Sequence, residues 1–231
     1  MDTRLERILN KAAELFIHNG FKKTSVEELA RACAISVGGI YDFFTNKQVI
    51  FCAVIKRCVD GEFFNRPHAL PLSLPLFSSL EREALRTFEH LVEKFGAPLR
   101  TRRKDYHYKD MLSDAFDMLS QYGIASQLLQ ANPRVCPNIF AGFNRYRQEL
   151  QRQFDGFLRF FSAKGELRQL LETRLPARFM LETIYWWGAM RHTDTFQPDS
   201  AAVPAHLAKD VCVSALYHAY ARDTHTNPVG A

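Results

Sequence analysis

No uninterrupted apolar stretch in this chain of 231 residues approaches the roughly 20 that a bilayer-spanning helix requires, so no membrane partner is expected. The opening MDTRLERILN is charged and helical in pattern, unlike a secretion signal, and a cytoplasmic location is expected. Cysteine is sparse: Cys33, Cys52, Cys58, Cys136 and Cys212 are odd in number, scattered, and form no C-x-x-C pair. That pattern argues against a disulfide framework and against a thiolate zinc site, and leaves reduced, buried thiols as the expectation. P-loop, G-x-G-x-x-G, H-E-x-x-H and G-x-S-x-G motifs are all missing, which argues against an enzyme and implies no cofactor. Strand-like alternation, internal repeats and low-complexity tracts are missing too.

What is present is helical periodicity in an ordinary globular composition, 47% hydrophobic and 24% charged, enough to build a core. Thirty Lys and Arg against 25 Asp and Glu leave a net charge of +5, a mild bias toward anionic partners such as nucleic acid. Leu5, Ile8, Leu9, Ala12, Leu15 and Phe16 recur at three- and four-residue spacing, so a helix is expected over about 3–19, with Thr3 and Glu6 as a capping box and Gly20 as its left-handed end. Ser25 and Glu28 open a second helix through Cys33. Ala34-Ile35-Ser36 reads as a tight turn, and Ser36 caps a third helix through Val37, Ile40, Tyr41 and Phe44. Thr45 with Gln48 is the expected cap of a fourth. Two short helices across a tight turn make a helix-turn-helix.

Pro67, Pro71 and Pro75 then interrupt the pattern. Further helices are expected at about 78–95, 105–121, 138–163, 176–192 and 204–221, separated by Gly96-Ala97-Pro98, Gly123, Asn132-Pro133, Gly165 and Gln197-Pro198. The fold class is therefore all-α. A DNA-binding module of residues 1–50 should precede an effector and dimerisation domain of residues 51–231.

Within residues 7–50 an ordered string stands out: Arg7-Ile8-Leu9, Ala12-Ala13, Leu15-Phe16, Gly20, Thr24-Ser25, Leu29-Ala30, Ser36, Gly38, Ile40-Tyr41, Phe44 and Asn46-Lys47. It resembles the DNA-binding domain of TetR-type bacterial transcription regulators. The resemblance implies that Thr24, Ser25, Tyr41 and Lys47 anchor the phosphate backbone. The residues agree with it: Gly38 and Gly39 each cost about 1 kcal/mol of helix propensity relative to Ala, and close approach of backbone to a double-stranded operator would account for both. Ser36 caps that helix, and Val37 could meet a thymine methyl in the major groove. Asp42 would repel phosphate. Residues 1–50 carry seven bases and six acids, so positioning must rest on a few well-aimed groups and on dimer geometry.

The second half is rich in aromatics. An apolar effector cavity is expected, walled by Met111, Phe116, Phe140, Phe143, Phe154, Phe179 and Trp187, with His107, Asn144, Tyr146 and Thr183 as polar handles; it suits a small hydrophobic or aromatic molecule. The segments 176–192 and 204–221 are apolar on more than one side, and Leu207, Val211, Ala215 and Leu216 are candidate contacts of a homodimer, as the resemblance also implies. His206 and Asp210, with His192, could in principle ligate a metal, but a surface hydrogen bond is the better reading and no metal is expected. The function expected is a ligand-responsive repressor that releases a semi-palindromic operator. The alternatives are a regulator controlled by a protein partner or by cysteine oxidation and, more remotely, a helical enzyme without a recognisable motif.

Overall fold

The computed structural model describes residues 2–193 and 203–222, and the segments around Gln197-Pro198 and beyond Arg222 lie outside the described residues. The described residues form helices throughout, and the only pairing outside them consists of the isolated bridges Phe44–Leu72 and Leu167–Ala221. The chain divides into two compact units, one built from the residues up to Glu89 with Ile124–Asn144, the other from His90–Gly123 with the residues from Arg145 onward.

In the first unit, α1 (Thr3–His18) buries Leu5, Ile8, Leu9, Ala12, Ala13 and Phe16, the face its periodicity predicts. Its cap differs from expectation. Asp2 rather than Thr3 is the N-cap, its carboxylate accepting the Arg4 and Leu5 amides at 2.7 and 3.3 Å, because an acid in extended backbone one residue earlier reaches the free N–H groups of the first turn. Gly20 follows at φ +81°, as the C-terminal signal required. α2 (Val26–Ala32) and α3 (Val37–Tyr41) come next, then α4 (Lys47–Val59), which runs across position 50. The cap of α4 is Asn46, whose side chain accepts the Val49 amide at 3.1 Å, and not the expected Thr45–Gln48 pair.

The proline-rich stretch is ordered by its contacts. The Thr45 amide donates to the Leu72 carbonyl at 3.0 Å and the Leu72 amide to the Phe43 carbonyl at 2.8 Å, tying this segment to the end of the helix-turn-helix. Lys56 of α4 is buried, its ammonium 2.5 Å from the Glu83 carboxylate and 4.5 Å above the Phe63 ring. α5 (Leu80–Arg100) continues through Gly96-Ala97-Pro98, where a break was expected. α7 (Gly123–Ala131) was not anticipated at all. Asn132, at its end, is buried: its side chain accepts the Phe21 amide at 2.6 Å and donates to the Phe16 and Leu128 carbonyls, both at 2.9 Å.

In the second unit, α6 (Tyr108–Gln121) packs against both α9 (Arg174–Tyr185) and α10 (Ala205–Tyr220). α8 (Pro137–Ala163) supplies a ladder of rings to this core: Phe95–Phe154, Phe95–Phe157 and Phe157–Phe161 have centroids 5.4, 5.3 and 5.9 Å apart. α9 passes into a π-helical turn at Trp186–Met190. There the helices approach closely: a Cβ on Gly188 would stand 2.8 Å from Ser120 Oγ, and one on Gly123 would stand 2.8 Å from Ala189 Cβ.

Candidate nucleic-acid interface and effector domain

The helix-turn-helix is held by its own punctuation. Ser25 Oγ accepts the Glu28 amide at 3.0 Å, but the Glu28 carboxylate takes the Asn19 side chain at 2.9 Å, so only one half of the expected box closes as predicted. The turn is made by Ala34 at φ 51°, with the Ile35 amide donating to the Ala30 carbonyl at 3.0 Å. An alanine in the left-handed region costs about 1–2 kcal/mol, so the turn angle is imposed by the packing on either side of it. Ser36 Oγ accepts the Gly39 amide at 3.0 Å and starts α3, and Ile40 turns inward while Phe44 closes the core behind it.

What α3 leaves outward is Ser36, Gly38 and Tyr41, the last 46% exposed, with Val37 and Gly39 half-buried. A Cβ on Gly38 would come no closer than 3.7 Å to any neighbour, and on Gly39 no closer than 3.4 Å. Nothing among the described residues requires glycine at either position.

Two of the expected phosphate contacts are otherwise engaged. Thr24 is only 1% exposed and its hydroxyl donates to the Gly20 and Leu15 carbonyls at 3.0 and 3.2 Å, so this hydroxyl closes the α1–α2 corner instead of facing outward. The Lys47 ammonium donates to the Phe21 and Thr24 carbonyls, both at 2.8 Å, and lies 4.5 Å over the Phe21 ring. It holds the same corner from the other side. Arg4 and Arg7, near the start of α1, are two further cations of this module. Both are exposed and, with Ser36, Gly39 and Asp42, line a concavity of about 460 Å³ beside the start of α3. Their relation to α3 crosses the turn from α1 and has no signature in local spacing.

Three of the five thiols are quiet. Burial raises Cys33 and pushes Cys58 and Cys212 up to about 11, so these three stay protonated at neutral pH. Cys52 and Cys136 share a hydrogen bond that lowers the former and raises the latter.

The expected effector residues are distributed over both units. Met111, Phe116, Phe143, Tyr146 and Phe154 are buried, and Phe154 is spent in the ring ladder. Phe143 pairs with Phe88 at 6.0 Å in the first unit, to which Phe140 and Asn144, both half-buried, also belong. Phe179 is 58% exposed on α9, and Thr183 donates back to the Phe179 carbonyl at 2.8 Å. His107 faces Glu166 at 3.0 Å, and Trp187 is half-buried with its ring 5.0 Å from that of Trp186.

A groove of about 540 Å³ opens instead between α5 and α6, and none of the eleven lines it. Leu91, Phe95 and Met118 form its floor, and Lys94, Asp114 and Asp117 stand among its polar residues. The Tyr106 hydroxyl donates to Asp114 at 2.9 Å, and burial first, then the Asp114 charge, hold that phenol far above its ordinary range, so it stays a donor.

Apolar residues stand in the open along α9 and α10: Leu175 and Phe179 on the first, with Leu171 before it and Trp186 just after it, and Leu207, Val211 and Ala215 on the second. Leu216 is corrected: at 3% exposure it faces the core of its own unit, where its carbonyl accepts the Tyr108 hydroxyl at 3.1 Å. His206 and Asp210 are exposed, and the His192 side chain lies outside the described residues; no cluster of three metal-ligating side chains occurs among the described residues. No helix among them is long and apolar enough to cross a membrane.

Residues 8–54 match the family described as bacterial regulatory proteins, tetR family. The chain is 22% identical over 180 residues to the HTH-type transcriptional regulator UidR of Escherichia coli strain K12, covering 78% of this chain and 76% of that one. It is 32% identical over 63 residues, 27% of this chain and 22% of the other, to the HTH-type transcriptional regulator YuxN of Bacillus subtilis. Among solved structures, the ketosteroid transcriptional regulator KstR2 of Mycobacterium tuberculosis shares the fold, with a TM-score of 0.54 at 13% identity over 96% of this chain and 97% of that one. The helix-turn-helix with these caps lies inside the matched stretch, so residues 8–54 form a DNA-binding domain of the tetR family, carried on a chain similar over most of its length to a transcriptional regulator.

Proposed function

We propose that this regulator binds a semi-palindromic DNA operator as a homodimer in the cytoplasm, acts as a repressor, and releases the operator when a small, mostly hydrophobic molecule enters its C-terminal half. Residues 1–50 serve as the DNA-binding module and residues 51–231 as the effector and dimerisation domain. The observation that carries the reading is the glycine pair. Gly38 and Gly39 sit on the outward side of a five-residue helix where no internal neighbour excludes a Cβ, so the demand for bare backbone comes from a surface that approaches from outside. Ser36, Val37 and Tyr41 are carried on the same short helix, with Ser25 exposed at the start of α2. Thr24 and Lys47 act one step back, by fixing the corner that sets the height of α2 and α3.

The α5–α6 groove suits the effector better than the aromatic cluster. Its floor is apolar, its volume lies in the range of small-ligand pockets, and Tyr106 offers an oriented hydroxyl partner. The outward stripes of α9 and α10 give the homodimer its contact, since contiguous apolar side chains on two neighbouring helices otherwise face water. The test is selection of duplexes from a random pool by the full-length protein. Enrichment of two inverted half-sites about 34 Å apart is expected, and a pool that stays unenriched at low salt overturns operator binding. Release of the selected duplex by hydrophobic but not by strongly polar compounds tests the effector class.

A further inference from the structure

The second unit holds another cavity, of about 730 Å³, that shares no residue with the α5–α6 groove. It forms where α8 ends. The helix stops at Gly165, φ +75°, with the Gly165 and Glu166 amides donating to the Ser162 and Phe161 carbonyls, both at 3.0 Å. The chain then pairs with the end of α10: the Arg168 amide donates to the Tyr220 carbonyl at 3.0 Å and the Arg222 amide to the Glu166 carbonyl at 2.8 Å, on either side of the Leu167–Ala221 bridge. In such an antiparallel bridge the residues flanking the paired position share one face, so Arg168 and Arg222 are set on the same side of it.

Three guanidinium groups line the cavity, those of Arg159, Arg168 and Arg222, together with the Thr173 hydroxyl and the aliphatic side chains of Leu167 and Leu170. Arg159 is partly neutralised, its Nη2 2.5 Å from Asp155. Arg168 and Arg222 are not: among the described residues neither forms an ion pair with a carboxylate. Arg168 instead lies 5.1 Å over the Tyr220 ring, and an Arg222 nitrogen stands 3.6 Å from where a Gly165 Cβ would be. Glu166, on the same bridge, is engaged by Lys164 at 2.6 Å, by His107 at 3.0 Å and by the Tyr108 amide at 2.8 Å. Two guanidinium forks with open donors, held by main-chain pairing at one wall of a ligand-sized cavity, present the geometry that carboxylate and phosphate oxygens match in pairs.

We propose that this cavity is a binding site for a small organic anion, a molecule bearing a phosphate or carboxylate for Arg168 and Arg222 and a short apolar part for Leu167 and Leu170. The site is separate from DNA binding and from the hydrophobic effector groove, and it stands whether or not those readings hold.

The experiment is calorimetric titration of the full-length protein with phenyl phosphate and with benzoate, against phenol and benzyl alcohol as neutral partners of the same ring. Saturable one-to-one binding of an anion, without binding of its neutral partner, is expected. Arg168→Gln with Arg222→Gln should weaken it on the order of a hundredfold, as loss of hydrogen bonds to a charged group predicts, while the thermal midpoint stays within a few degrees of the parent. Leu170→Asp is the second variant: it leaves both arginines and should abolish binding by placing a carboxylate in the cavity. Equal affinity in the parent and the arginine variant, or equal binding of the neutral compounds, overturns the site. So does binding that vanishes when 0.15 M salt is present, since that would mark diffuse attraction rather than a paired fork.

Discussion

The Asn132 side chain accepts the Phe21 amide at 2.6 Å while donating to the Phe16 carbonyl, so a single buried amide closes the end of α1 from a position more than a hundred residues further along the chain. Asn132→Ala should lower stability by about 2–4 kcal/mol, because it leaves buried backbone groups without partners. Asn132→Asp keeps the Phe21 bond but sets a buried carboxylate oxygen against the Phe16 and Leu128 carbonyls, so it should be at least as destabilising as the alanine variant. Chemical denaturation ranks the three, and operator affinity should follow the same order, since the α1–α2 corner sets the height of the recognition helix. An alanine variant with parental stability would remove Asn132 from this role.

Lys56 and Glu83 give a pH dependence with a definite sign. Burial alone would raise the Glu83 carboxyl, but hydrogen bonds from Lys56 and Ser79 and the Lys56 charge outweigh it and hold it below its ordinary value of 4.5. A carboxyl lowered in the folded state contributes stability that is present above the unfolded value and is lost as pH falls through the folded one. Stability should therefore decline below about pH 4.5, and Lys56→Met should flatten that decline while costing about 1–3 kcal/mol at pH 7. Unfolding curves between pH 3 and pH 7 provide the comparison.

Tyr41 and Lys47 should separate by kind of defect. Tyr41→Phe removes one outward hydroxyl and is expected to weaken binding to all duplexes about three- to tenfold with stability unchanged. Lys47→Ala releases two carbonyls of the α1–α2 corner and should lower both the melting temperature and the affinity. Val37→Ala should change the preferred sequence instead. A Lys47→Ala protein that melts like the parent would return that ammonium to a direct phosphate contact.

The helical positions Val211 and Leu216 predict opposite failures. Val211, 52% exposed, lies on the proposed symmetric face, so Val211→Asp should leave a folded monomer with greatly reduced operator affinity. Leu216→Asp buries a charge in the core of one subunit and should prevent folding altogether. Sedimentation and circular dichroism distinguish the outcomes; a folded dimer from Val211→Asp would move the interface elsewhere.

The helix-turn-helix was legible because short-range signals build it: Ser25, Ser36 and Gly20 act on residues three or four away. The caps at Asp2 and Asn46 were displaced by one position from the threonines expected, since either neighbour can present an oxygen and only the backbone angle decides between them. α7 was hidden because Gly123 reads as a separator, whereas it opens a helix and is small on account of Ala189. Asn132-Pro133 likewise reads as a turn and turns out to be a buried anchor. Aromatic spacing on α8 marked an apolar face but gave no sign that Phe154, Phe157 and Phe161 pack in a ladder of rings. Grooves and arginine clusters depend on which distant elements meet, and that is a property of tertiary pairing alone.

The paired glycines at 123 and 188 have a mechanical meaning. Where side chains separate two helices, rotamer changes absorb small displacements like a compliant gasket. Here the glycine backbones at 188 and 123 lie against the short side chains of Ser120 and Ala189, which leave little to compress between the helices. On the proposed effector reading, a molecule wedged beside Met118 would press α6 against the turn at Trp186–Met190, and the second unit would act there as a lever rather than as a cushion, with the thrust directed along α9 to the face proposed for a sister subunit.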